Sequence, residues 1–129
     1  MGTIEEIKAK IGKYPELSYE ANEVSITVHP SSPNGFSVRM EVHKRGFTVH
    51  FDGWHEEFTS EDDALKCFAF GLSSKCRLKV HRRSGFAYKW TVEYFKDGAW
   101  KEDSTTGLLL FPFWGSLEVV ILQNDLVSD

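Results

Sequence analysis

Cysteine is scarce, with two residues, Cys67 and Cys76, in a chain of 129. No CxxC and no Cys/His spacing of a zinc site occurs, so a disulfide scaffold and a dithiol redox motif are excluded. The two thiols are read as reduced members of a core. Positive charge is also short: 15 Lys and Arg stand against 19 Asp and Glu, a formal charge of −4. Such a balance lacks the field that neutralises phosphates, and binding to duplex DNA is not expected. HExxH, a nucleophile elbow and a glycine-rich phosphate loop are all missing, which leaves nucleophilic catalysis and nucleotide hydrolysis without support. No motif calls for a metal or an organic cofactor. The opening "MGTIEEIKAK" has no apolar centre of a secretion signal, and Glu6 stands where a myristoylation motif takes Ser or Thr. No membrane partner is implied, and a cytoplasmic location is expected.

Aromatic residues, by contrast, are plentiful: ten Phe, four Trp and four Tyr. Flat side chains pack well on pleated surfaces, so strands should dominate. With 41% apolar and 26% charged residues, the proportions are those of a globular chain, read as one domain over 1–129.

Thr3 and Glu6 have the spacing of a capping box, and Ile4, Ile7 and Ile11 recur at helical period before Gly12 and Pro15. A short opening helix is predicted, followed by an irregular stretch over 14–23. Val24, Ile26 and Val28, then Phe36 to Val42, then Phe47, Val49 and Phe51 alternate as strands, with turn residues in "PSSPNG" and "KRG" between them. Ser60 and Asp63 open a second helix, whose stripe is Leu65, Phe68, Ala69 and Leu72 and which Gly71 is suited to end. Strands resume at Cys76, Leu78, Val80 and at Phe86 to Tyr94, and "KDGA" gives a tight hairpin turn. "GLLLFPFWG" and "SLEVVILQ" are apolar at successive positions, as in strands covered on both sides. The expected architecture is α+β: a curved antiparallel sheet of about six to eight strands with two helices on one face. Val28-His29, Gly35-Phe36 and Val42 against Val80-His81, Gly85-Phe86 and Val92 suggest a weak internal α-β-β-β repeat.

Three groups of residues are candidates for function. "HFDGWHEEF", 50–58, holds His50, Asp52 and His55, and two residues apart on a strand puts His50 and Asp52 on one side, as an acid–base pair would need. The bland explanation of the same stretch is a strand-to-helix connection. Arg77, Lys79, Arg82 and Arg83 form a basic strip that could take a small anionic ligand or an acidic partner, or simply guard an edge strand. Phe111, Phe113 and Trp114 belong to a segment apolar on both faces, expected to make a homodimer or protein-partner contact. The leading expectation is a cytoplasmic, non-catalytic binding or protein-interaction module. The alternative is a small metal-free enzyme that uses His50 and Asp52 on a curved-sheet cleft.

Overall fold

The computed structural model describes residues 2–108 and 115–127. In chain order the elements are α1 (Thr3–Ile11), β1 (Ser18–Ala21), β2 (Ser25–His29), β3 (Val38–His43), β4 (Gly46–Phe51), β5 (Trp54–Phe58), α2 (Glu61–Leu72), β6 (Cys76–Arg83), β7 (Phe86–Lys96), β8 (Ala99–Gly107) and β9 (Leu117–Gln123). The α+β class holds. In place of one sheet, however, there are two antiparallel sheets, a meander β1-β2-β3-β4-β5 and a four-stranded β8-β7-β6-β9. The second has the spatial order fourth, first, second, third of a Greek key.

Two strands lie outside the expected set. β1 is exposed at all four positions and so carries no alternation to read. β5 does alternate, but its inward positions are Trp54, Glu56 and Phe58, and the charge in the middle hides the pattern. The proposed repeat is only approximate, because Val28 faces Val38 while its counterpart Val80 faces Trp90, two residues beyond the matching Tyr88.

Periodicity explains most of the core. Ile4, Ile7 and Ile11 of α1 are buried as predicted, and so are Ile26 and Val28 of β2, Val38 and Met40 of β3, Val49 and Phe51 of β4 and Cys76, Leu78 and Val80 of β6. Val42 and Phe47 are half-buried, and Val24, expected among them, lies before β2 and is exposed. Thr3 does not cap α1: the N-cap is Gly2, and the Thr3 hydroxyl donates to Glu61 at the start of α2. Ser60 does cap α2, accepting from the Asp63 N–H at 3.2 Å. Gly71 is not the terminator. It sits inside α2, where a β-carbon would meet the Phe51 ring at 2.3 Å, so its lack of a side chain lets the helix lie close on β4. The end of α2 is sealed from elsewhere. Asn124 Nδ2 donates to the Gly71 carbonyl, and the Leu126 N–H donates to that of Leu72, both at 2.9 Å.

The turns follow their chemistry. Ser84-Gly85 and Asp97-Gly98 both have positive φ at the two central positions, the geometry that two-residue hairpins favour. Cys76 is buried, Cys67 is half-buried, and both are free thiols. No helix among the described residues is long and apolar enough to cross a membrane.

Candidate functional site

"HFDGWHEEF" turns out to be the junction of the two sheets. Phe51 ends β4 facing Trp54 at the start of β5, and Asp52-Gly53 makes the two-residue link. Asp52 takes a φ of 55°, which Asp tolerates better than most residues. Its carboxylate accepts from the Trp90 indole N–H of β7 at 2.9 Å. The Trp90 ring packs against Gly53, where a β-carbon would stand 2.3 Å from two ring carbons. Trp54 Nε1 donates to Ser104 Oγ of β8 at 3.0 Å, and the His55 N–H to Thr106 Oγ1 at 3.3 Å. Two indoles, one carboxylate and one glycine thus hold the first sheet to the second.

His50 and Asp52 consequently do not form a pair. The positive φ at Asp52 breaks the strand alternation, and the carboxylate that reaches His50 Nε2 belongs to Glu41, at 2.8 Å. His55 is the cross-strand neighbour of His50, with ring centroids 5.8 Å apart. Glu41 is the hub of this outer face: it also accepts from Arg39 Nε at 3.2 Å, while His43 lies 3.9 Å away and bonds Thr48 at 2.9 Å. The His50 hydrogen bond, with that of Arg39 and the nearby guanidinium, holds the Glu41 carboxyl below its ordinary 4.5 against the opposing effect of burial. Nothing in the sequence singled out Glu41, because the antiparallel register that sets β3 beside β4 is what brings it to His50. Among the described residues, no three His, Cys, Asp or Glu side chains are gathered in a way that could hold a metal ion.

The basic strip lies on β6, an inner strand between β7 and β9, so the edge-guard explanation does not apply to it. Its cations meet carboxylates. Arg77 Nε donates to Glu93 Oε1 at 2.7 Å and stacks on Trp100 at 4.4 Å, and Lys79 lies 3.5 Å from both Glu93 and Glu102. Arg82 is 3.6 Å from Glu118, and Arg83 donates to the Gly115 carbonyl at 3.4 Å. Glu93 is only 4% exposed, a buried acid compensated by two cations. Much of the strip's charge is therefore spent within the sheet.

Phe111, Phe113 and Trp114 lie outside the described residues. The strand that follows them, β9, is exposed. It is an edge of its sheet, and Leu117, Val119 and Ile121 are 52%, 47% and 41% exposed on its outer side. The Gln123 N–H points away from β6, to the Asn34 carbonyl at 2.7 Å. Strand alternation then turns the N–H and C=O of Ile121, Val119 and Leu117 the same way, outward from the sheet. The run of apolar residues in "SLEVVILQ" predicts cover on both sides. In the structure Leu122 packs on the core while the odd-numbered side chains face out.

The remaining sheet edges carry charge or brevity. β1 has four residues, including Glu20; β5 carries Glu56 and Glu57; β8 carries Lys101, Glu102 and Asp103. β9, "LEVVILQ", has a single charge, Glu118, held by Arg82. It has no lysine, proline or bulge, the usual devices that keep an edge from pairing with another chain. Compared with known proteins, the chain matches no family model, no curated protein and no solved structure.

Proposed function

We propose that the protein is a non-catalytic binding module that docks an extended stretch of polypeptide along the outer edge of β9. One observation carries this reading: among the described residues, β9 is an edge strand with three exposed aliphatic side chains, its main-chain groups at those same positions point outward, and its single charge, Glu118, is engaged by Arg82. Adding a strand to such an edge supplies affinity through main-chain hydrogen bonds and selectivity through alternate side chains. The two free thiols support placing the module in the reducing cytoplasm.

A displayed library of random peptides tests it. The peptides selected should alternate β-branched or aliphatic residues, and their affinity should fall about tenfold or more on Val119→Lys, a surface change that leaves the fold intact. A library that returns no binder, or binders indifferent to Val119→Lys, would overturn the reading.

A second reading, acid–base chemistry on the outer face of the first sheet, is favoured by the 2.8 Å contact between His50 and Glu41. It moves the orienting role from Asp52 to Glu41. It requires a turnover that His50→Gln abolishes and Val119→Lys spares, the reverse of what edge docking requires.

A further inference from the structure

Which extended chain fits β9 can be argued from its own register. We infer that the occupant is the β9 strand of a second copy, paired antiparallel about a two-fold axis at Val119; this rests on the edge-docking reading above.

An antiparallel self-pairing is fixed by the residue at its centre. The outward main-chain groups belong to Leu117, Val119 and Ile121, since Gln123 is already engaged by Asn34. Centring the axis on Val119 sets Leu117 opposite the second Ile121, Val119 opposite itself and Ile121 opposite the second Leu117. All three outward residues of each copy are then used, and each facing pair exchanges two main-chain hydrogen bonds. On the outer side six aliphatic side chains come together in cross-strand pairs, the arrangement that stabilises a sheet face. On the other side Glu118 faces Val120 and keeps its own Arg82, 3.6 Å away.

The neighbouring registers are worse for physical reasons. Centring on Glu118 places two like charges directly opposite each other, which is destabilising. Centring on Val120 requires Leu117 to pair with Gln123, whose N–H is occupied at 2.7 Å. Charge and a pre-existing hydrogen bond thus select one register. A two-fold axis satisfies the edge of both molecules at once and leaves no new open edge at the join, which is what distinguishes a closed dimer from a growing fibre. The product is a continuous eight-stranded sheet, four strands from each copy.

Sedimentation equilibrium and cysteine pairing test the assignment. The wild type should shift from one-chain toward two-chain mass between about 1 µM and 1 mM, as suits a small interface. Val119→Lys, with an unchanged melting temperature, should stay at one-chain mass throughout. A Val119→Cys variant should give a disulfide-linked dimer under mild oxidation, because facing α-carbons about 5.5 Å apart lie within disulfide range. A Glu118→Cys variant, offset from its mate in this register, should cross-link about tenfold more slowly. Wild-type protein that stays at one-chain mass to 1 mM, or a Glu118→Cys variant that links as fast as Val119→Cys, would overturn the inference. A monomeric wild type that still selects peptides through Val119 would remove the second copy and keep edge docking; one that does neither removes both.

Discussion

At the scale of single residues, the chemistry of "HFDGWHEEF" is spent on structure. Asp52, the residue expected to orient His50, spends its carboxylate on the Trp90 indole instead. A hydrogen bond to a charged acceptor is among the stronger kinds, and here it fixes a backbone conformation that few residues adopt. Gly53 is required by the same ring. Gly53→Ala should destabilise the protein by about 1–3 kcal/mol, the range for overpacking a tight contact. Urea titration with Gly107→Ala as reference decides, since a β-carbon at Gly107 makes only ordinary contacts, with the Tyr88 carbonyl at 3.8 Å and Lys89 Cγ at 3.9 Å. Equal midpoints for the two variants would contradict the inter-sheet contact.

Strands and helices were readable where the period was clean. β2, β3, β4, β6 and β7 alternate, and Ser60 announces α2; each of these signals comes from local chemistry. What was not legible depends on partners distant in sequence. Thr3 bonds Glu61, Gly71 exists for Phe51, Glu41 meets His50 only through strand pairing, and the exposure of β9 follows from its place beside β6. Asn124 is the clearest case. From a polar stretch after β9 it accepts from the Phe36 N–H at 3.0 Å and donates to the Phe36 and Gly71 carbonyls at 2.9 Å, stitching the β2–β3 loop to the end of α2. It is 3% exposed, so bulk water does not compete for those bonds. Asn124→Ala should cost roughly 3–5 kcal/mol from the buried groups left unpaired. The denaturation midpoint should fall with its slope unchanged, and the Phe36 amide should exchange faster with solvent; an unaltered Phe36 amide would mean the stitch is idle.

For the molecule as a whole, one apolar cluster draws on both helices and both sheets. The thiols report on it. Burial, with a smaller effect from Glu56 and Asp103, pushes Cys67 up to about 12, and burial raises Cys76 as well. Thiolate is the reactive form, so a thiol reagent near neutral pH should label neither residue until the sheets part. Labelling should accelerate with denaturant along the slope of global unfolding, and fast labelling in buffer alone would show that the sheets separate locally. The same long-range construction bears on synthesis. Asn124 leaves the ribosome 88 residues after Phe36 and 53 after Gly71, the groups it joins. At 5–20 residues per second, the first sheet waits roughly 4–18 s for that lock. In that interval the nascent meander lacks the clasp that ties its β2–β3 loop to the end of α2.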